Sequence, residues 1–445
     1  MHPIHHLRSR LSSTDRQILA LAVPALGALV AEPLFVLVDS GVVGHLGTPQ
    51  LAGLSLASTI LVTVVGLCVF LAYTTTGAVA RRIGVGDRAA ALTLGIDGMW
   101  LAFALGLVLA VLLLASAPVL VDALGAEPDV ARQATRYLHA SAPGLPGMLV
   151  VLASTGVLRG LQDTRTPLVV AASGAVLNAA LNVLLVLGLH LGITGSGAGT
   201  AATQLLMAGV LTVIVVRGAR TAGASLAPAA RGIWAGARAS APLLVRTVSL
   251  RAAIALTVWV ATGLGAVALA GHQVVSSIWS LTAFALDALA IAAQAMVGHA
   301  LGAGDVERVR AVLRRTLEWG VGAGAVLGVL VGASAAVVPV LFTADPHVRR
   351  AATVALLVAA VTLPMAGWVF VLDGVLIGAG DGRYLAAVGM ATLVVYVPVA
   401  LVVRAWAGPG GLGWLWVAFA GVFMLARAVT TGVRARGTAW LVTGA

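Results

Sequence analysis

Twelve apolar runs, each about 20 residues long or longer, follow one another along this 445-residue chain with short polar segments between them. A helix needs about 20 apolar residues to cross a bilayer, and only helices and closed barrels satisfy their own backbone polar groups in lipid. The sequence therefore predicts an all-α polytopic membrane protein with twelve transmembrane helices. The predicted spans are 17–45, 50–79, 90–116, 131–157, 166–189, 195–217, 240–262, 267–298, 311–337, 350–377, 384–403 and 411–431.

The distribution of basic residues predicts the orientation in the membrane. All 27 basic residues are arginine; alternate loops and the two ends of the chain hold 20 of them, counting Arg427, and the opposite loops hold five. By the positive-inside rule both termini are cytoplasmic. The arginines form no continuous basic face with interleaved aromatic residues, so membrane lipids rather than nucleic acid are the expected partners.

The two halves of the chain superpose at a constant offset of 218 residues. A Gly-x-Gly-Asp motif and a GVLxGxxDxR block each occur twice at this offset, and we interpret both as structural because their acids occur in both halves. The Gly-x-Gly-Asp motif also follows membrane helices and lacks a strand or a P-loop lysine, so it is a tight turn. The motif residues are Gly84, Gly86, Asp87, Gly302, Gly304 and Asp305 in the first case, and Gly160, Asp163, Arg165, Gly378, Asp381 and Arg383 in the second.

Six spans per half is an even number, so both halves enter the membrane from the same side as parallel repeats. In transporters built this way, substrate sites lie at the repeat interface near the middle of the membrane. The predicted organisation is a cytoplasmic tail (1–16), a six-helix bundle (17–217), a cytoplasmic linker (218–239), a second six-helix bundle (240–431) and a cytoplasmic tail (432–445).

Four acidic residues inside the spans break the internal symmetry. A charge in the hydrocarbon core costs at least about 2.5 kcal/mol, so such acids are functional candidates. The acids of the turn motifs occur in both halves, whereas these four occur in one half only. They are Glu32 and Asp39, whose counterparts are Leu250 and Thr257, and Asp287 and Asp373, whose counterparts are Val69 and Thr155.

Three stretches resemble the multidrug and toxic compound extrusion (MATE) family, in particular its DNA-damage-inducible F (DinF) branch. They are EPLFVLVDSGVVGHLG (32–47), FALDALAIAAQAMVGHALGAGD (284–305) and LDGVLIGAGDGRYL (372–385). The resemblance extends along nearly the whole chain. It implies two six-helix bundles around a V-shaped central cleft, and efflux of lipophilic or cationic toxic compounds coupled to inward flow of H⁺ or Na⁺, with no other cofactor.

The resemblance also implies a site in the first half. In such transporters a first-helix aspartate acts with polar residues of the fifth helix, and the matching positions here are Asp39, Asn178 and Asn182, with Thr200 of the sixth helix as a weaker match. Asp39 lies in the outer half of the membrane, where a low dielectric disfavours a charged carboxyl and makes proton uptake near neutral pH feasible. Some members carry a second acid at the position of Asn182, and Glu32 is a candidate for this missing acid.

Each of the other intramembrane charges has two interpretations. Glu32 either binds a cationic substrate or relays a proton, or it pairs with Arg251, which lies at a matching depth in the second half. Asp287 and Asp373 either form a second cation site or are paired by Arg246, by Arg251 or by freed backbone donors. We keep these residues as candidates for a polar cavity that binds substrate.

The predicted function is secondary active export by a monomer, with Asp39 as the coupling carboxylate and a rocking motion of the two bundles. The chain has no lysine and hence no Walker motif, so the energy comes from an ion gradient. A lipid-linked precursor flippase is the first alternative, and it favours a broad cationic cleft. A non-transporting receptor leaves the asymmetric acids unexplained, and an intramembrane metalloenzyme needs clustered His and carboxylate ligands that the spans lack.

Overall fold

The computed structural model describes residues 12–408 and 410–444, except for the side chain of Glu32. In this part of the chain twelve helices are long and apolar enough to cross a membrane, which confirms the predicted fold class. They are α1 (Ser13–Gly44), α2 (Thr48–Gly84), α3 (Arg88–Ala123), α4 (Pro128–Gly160), α5 (Arg165–Gly188), α6 (Gly192–Thr221), α7 (Ala230–Gly263), α8 (Ala266–Gly302), α9 (Val306–Ser334), α10 (Pro346–Gly378), α11 (Gly382–Trp406) and α12 (Gly411–Arg436).

The ends of several helices differ from the predicted spans. Helix α7 begins at Ala230, ten residues before its predicted start and inside the predicted linker, and the first and last helices are also longer than predicted. Helix α1 begins at Ser13, four residues before the predicted start, because Ser12 and Asp15 form a capping box: the Ser12 hydroxyl accepts from the Asp15 amide at 3.2 Å, and the Asp15 carboxylate accepts from the Ser12 amide at 2.9 Å. Helix α12 continues to Arg436, five residues beyond the predicted end. After it the chain folds back: Trp440 is buried, and the Gly444 amide donates to the Leu301 carbonyl at 3.1 Å.

Several spans are not continuous α-helices. The turn at Cys68 and Val69 divides α2, and Pro143, which has no amide hydrogen to donate, lies in the 3₁₀ turn Ala142–Gly144 that divides α4. Among the residues that the structure describes, two segments are π-helical: Val183–Gly188 at the end of α5 and Val417–Phe423 within α12. The first π-helical segment begins directly after Asn182, and such segments often lie at functional sites.

Glycines at equivalent positions bring α4 close to α2 and α10 close to α8. A Cβ added at Gly156 would lie 2.6 Å from the carbonyl oxygen of Ala72, and one added at Gly374 would lie 2.3 Å from that of Ala290. These pairs are related by the same offset of 218 residues. Gly160 and Gly378, one turn further on, make similarly close approaches, so each GVLxG segment is a packing surface of the small-xxx-small type.

The repeated Gly-x-Gly-Asp motifs form the same turn in both halves. Gly86 and Gly304 have positive φ angles of 89° and 72°, which favour glycine. Asp87 caps α3 by accepting from the amide of Ala90 at 2.8 Å, and Asp305 caps α9 by accepting from an amide at 2.9 Å. Each motif therefore ends one helix and begins the next.

The acids of the other repeated motif have different partners in the two halves. Asp163 accepts from the backbone amides of Arg165 and Thr166, both at 3.0 Å. Asp381 instead pairs with Arg434 near the end of α12, with N–O distances of 2.6 and 3.1 Å. The two turns thus have the same backbone conformation, but the acid of each turn has different hydrogen-bond partners.

The chain divides into two compact units. One comprises Val23–Ser240, and the other comprises residues 12–22 together with Ala241–Gly444. The second unit has an aromatic core in which Tyr396 contacts Phe419 and Phe423, with ring centroids 6.1 and 5.3 Å apart.

Candidate functional site

Asp39 is buried inside the first repeat and is surrounded by hydrogen-bond donors. The amide nitrogen of Asn182 donates to its Oδ1 atom. The hydroxyl of Thr200 donates to Oδ2 at 3.3 Å, and that of Tyr137 donates to Oδ2 at 3.5 Å. Donors around both carboxylate oxygens favour the ionised acid, which compensates for part of the cost of burying it.

A second layer of contacts fixes these donors. The Asn182 amide also donates to Oδ1 of Asn178 at 3.0 Å, and the Asn178 amide donates to the hydroxyl of Thr200 at 3.5 Å. The hydroxyls of Tyr137 and Thr200 lie 3.3 Å apart. The result is one continuous network, which we call the Asp39 cluster: Asp39, Tyr137, Asn178, Asn182 and Thr200.

Four helices of one unit supply this cluster. Asp39 comes from α1, Tyr137 from α4, the two asparagines from α5 and Thr200 from α6. Asn178 and Asn182 are four residues apart and therefore lie on the same helix face. The structure thus brings together all four residues that the resemblance indicated.

The equivalent positions of the second repeat form a packed and largely apolar region. Asp39 corresponds to Thr257 and Asn178 to Tyr396, whose hydroxyls lie 2.6 Å apart. The other three cluster positions correspond to alanines, all of them buried: Ala355, Ala400 and Ala418. The second repeat therefore keeps one neutral hydrogen bond where the first repeat has a carboxylate with three donors.

Asp373 is paired with two arginines in the second unit. Its Oδ2 atom accepts from Arg246 at 2.6 Å and also from Arg427, and all three side chains are about nine-tenths buried. Of the two interpretations left open for Asp373, the structure shows the one that pairs it with Arg246. Asp287 is half-buried and acts electrostatically on Arg427, so it belongs to the same charge cluster.

Two candidates remain, Glu32 and Arg251. The side chain of Glu32 lies outside the described residues, so its pairing with Arg251 stays a prediction. Arg251 is exposed on α7.

Two residues of these clusters were missed from the sequence. Tyr137 is a polar residue in a span whose counterpart is Ala355, so the rule of broken symmetry applied to the acids would have found it. Arg427 was counted among the cytoplasmic arginines, but its side chain is buried beside Asp373. Its counterpart in the first repeat is Gly209, so a comparison of the two halves would have singled out Arg427 in the same way.

In the described part of the chain, twelve helices long and apolar enough to cross a membrane form two repeats. The first repeat carries the Asp39 cluster, and the buried acid of the second, Asp373, is held between two arginines. These features define a membrane transporter of internally duplicated type. The chain belongs to the MatE family: the family profile matches residues 24–184 and again 242–402, one match in each repeat. The predicted resemblance and the two-repeat layout are thereby confirmed.

Curated relatives agree with this assignment. Protein DETOXIFICATION 44 of Arabidopsis thaliana is 30% identical over 83% of this chain and 73% of its own length. The DNA damage-inducible protein F of Escherichia coli is 28% identical over 87% of each chain. A probable multidrug resistance protein NorM of Thermotoga maritima is 25% identical over 75% of this chain and 73% of its own.

Solved structures show the same fold. A MOP-superfamily transporter from Pyrococcus furiosus superposes with a TM-score of 0.86 at 20% identity, covering 96% of this chain and 97% of that one. A variant of the Vibrio cholerae MATE transporter VcmN gives a TM-score of 0.86 at 20% identity over 96% and 98% of the two chains.

Proposed function

We propose that this protein is a secondary active exporter of lipophilic or cationic small molecules, driven by inward flow of H⁺ or Na⁺. The observation that carries the proposal is the Asp39 cluster, because the repeat-equivalent positions hold no carboxylate. The multidrug resistance protein NorM among its relatives supports the substrate class. We also propose that it works as a monomer in a bacterial plasma membrane, with both termini in the cytoplasm.

In the proposed cycle, Asp39 is the group that exchanges the ion for the substrate. Its three hydrogen-bond donors stabilise the carboxylate. When a proton binds to Asp39, or a sodium ion binds to the oxygens of the cluster, the bound ion takes over part of this stabilisation. A cationic substrate uses the same negative charge, so ion and substrate compete. Binding of the ion from outside releases substrate outward, and release of the ion to the cytoplasm restores the carboxylate.

The Asn182 amide is the group that responds to the ion. Its Oδ1 atom is buried and has no hydrogen-bond partner among the described residues, while its nitrogen donates to both Asp39 and Asn178. When Asp39 takes up a proton it becomes a donor, and rotation of the amide presents Oδ1 as the acceptor. This rotation breaks the bond to Asn178, so the two ion states favour different packing of α1 against α5.

Alternating access follows from this difference in packing. An ion shifts a conformational equilibrium only by its difference in affinity for the two states. We propose that the two repeats rock between inward-facing and outward-facing states, and that the ion state of Asp39 sets which state is favoured.

The test is uptake of a fluorescent lipophilic cation by everted membrane vesicles, with H⁺ and Na⁺ gradients imposed separately. We expect wild-type protein to concentrate the dye under one of the two gradients and Asp39→Asn protein to lose this at equal expression. Thr257→Ser, at the equivalent position of the second repeat, is the matched control and should transport normally. Equal transport by the Asp39→Asn and wild-type proteins under both gradients would overturn the proposal.

A further inference from the structure

The chain passes between its two compact units at two points that the internal repeat relates. The boundaries fall between Ala22 and Val23 and between Ser240 and Ala241, and these positions differ by the repeat offset of 218 residues. Both boundaries lie inside membrane helices, α1 and α7. The first residues of each helix therefore pack in one unit, and the rest of the helix packs in the other.

Proline follows each crossing point at the same distance. Pro24 lies in α1, two residues after Ala22, and Pro242 lies in α7, two residues after Ser240. A proline inside a helix removes one backbone hydrogen bond and favours a bend. Each crossing point therefore lies next to a weakened helical turn.

The start of α1 is held to α9 by a buried carboxylate. Asp15 is 1% exposed. Its Oδ1 accepts from Nε of Arg315 at 2.5 Å and from the indole nitrogen of Trp319 at 2.8 Å, and its Oδ2 accepts from the second guanidinium nitrogen at 2.9 Å. This two-pronged arginine–carboxylate contact is among the strongest and most directional in proteins.

The start of α7 is held to α3 by three side chains on one helix face. Asp97 accepts from the backbone amide of Ala229 at 3.2 Å, and Thr93 accepts from that of Ser225 at 3.2 Å. The Trp100 indole donates to the carbonyl of Leu226 at 3.2 Å. Asp97 thus lies at the N-terminus of α7, where free amides and the helix dipole favour a negative charge.

Gly232 is necessary for this approach. A Cβ at position 232 would lie 1.9 Å from Oδ2 of Asp97 and 2.7 Å from its Cγ atom, so any side chain there displaces the carboxylate. One turn further on, a Cβ at Gly236 would meet nothing closer than Leu101, at 3.9 Å.

The two anchors are equivalent in position and opposite in chemistry. Asp97 and Arg315 are related by the repeat offset, so the third helix of each repeat uses the same position. On α3 an acid meets backbone amides, and on α9 a guanidinium meets an acid. Each repeat thus fixes the start of a helix from the same position of its third helix, but with different chemistry.

We propose that Asp15 with Arg315, and Asp97 with the first turn of α7, are positioning residues for transport. Each anchor keeps the start of a membrane helix fixed to one unit throughout the cycle, while the remainder moves with the other unit about the turn that contains Pro24 or Pro242. The α1 anchor thereby sets the position from which Asp39 moves. This inference rests on the alternating-access cycle proposed above.

The experiment compares turnover per folded molecule in Arg315→Gln, Gly232→Ala and the control Gly236→Ala, using purified protein in vesicles. Loss of an anchor should lower the transport rate per folded molecule by about tenfold, with substrate affinity within the range of the control. Arg315→Lys, which keeps the charge without the two-pronged contact, should recover part of the rate. Unchanged turnover per folded molecule in both anchor variants would overturn the proposal.

A second measurement shows whether the α1 anchor stays closed. Cysteines at positions 15 and 315, in a Cys68→Ala background, are linked by a short bifunctional thiol reagent. We expect the linked protein to transport faster than the unlinked form, because the linker replaces the lost contact. Arrest of transport by the linker would identify this contact as one that opens in each cycle and would overturn the proposal. A wild-type protein that moves no substrate would instead refute the proposed function.

Discussion

Neutralising Asp373 should destabilise the protein without removing its ion dependence. The acid lies between Arg246 and Arg427, with side-chain exposures of 9%, 10% and 11% respectively. Asp373→Asn leaves two buried guanidinium groups with one acid, Asp287, in their cluster. Removing one partner of a buried ion pair costs about 3–5 kcal/mol, which for a unit of this size corresponds to a melting temperature about 6–20 °C lower.

The assay is thermal unfolding of the purified protein in detergent, followed by ion-dependent dye transport of the folded fraction. The double variant Asp373→Asn with Arg427→Gln restores the charge balance and should recover at least part of the lost stability. Asp129→Asn, which breaks an exposed pair with Arg132 at 2.5 Å, is the control and should cost less than about 1 kcal/mol. A stable Asp373→Asn protein that had lost its ion dependence would refute this reasoning.

Three further substitutions test the packing and the site. Gly374→Ala places a Cβ 2.3 Å from a backbone carbonyl and should lower the free energy of unfolding by about 1–3 kcal/mol, measured by thermal unfolding. Gly322→Ala, whose Cβ would lie in open space, is the control and should leave this free energy unchanged. Asn182→Leu removes a donor to the coupling acid worth about 1.5–3 kcal/mol and should lower ion-driven dye transport at least tenfold at equal expression; normal transport would exclude it from the mechanism. Thr257→Val alone should cost about 1–3 kcal/mol in the same unfolding assay, but nearly nothing when combined with Tyr396→Phe, because no buried hydroxyl is then left unpaired.

The helices and the internal repeat could be predicted because they depend on local sequence. Hydropathy gives the length of a span directly, and an offset common to separate blocks gives the duplication. The meeting of Asn178 and Asn182 at one site also followed from helical spacing. These features need no knowledge of how the helices pack.

The partners of the buried charges depend on packing and could not be predicted in the same way. Arg427 was counted with the cytoplasmic arginines because hydropathy gives no depth for a residue near the end of a span. Asp373 had two open interpretations because the choice between a cation and an arginine depends on where α7 and α12 lie against α10. Comparison of the two halves predicts these residues better than hydropathy does, since the repeat counterparts of Tyr137 and Arg427 are both small residues.

The division of α1 and α7 between the two units could not be predicted from the sequence. Asp15 stood in a segment predicted to be a polar tail, yet it is buried and accepts five hydrogen bonds, two from Ser12, two from Arg315 and one from Trp319. Its ion pair joins it to a residue 300 positions away along the chain, and only the folded structure reveals this contact.

The central claim is that Asp39 links ion binding to substrate binding, and the most direct measurement is substrate affinity of the purified protein as a function of pH and of sodium concentration. Coupling between two sites is typically worth 5- to 150-fold in affinity. The account predicts that one of the two ions weakens dye binding by about tenfold in wild-type and Asp373→Asn proteins, and that Asp39→Asn abolishes this dependence. An Asp39→Asn protein whose dye affinity still changes with the ion as in the wild type would contradict the account.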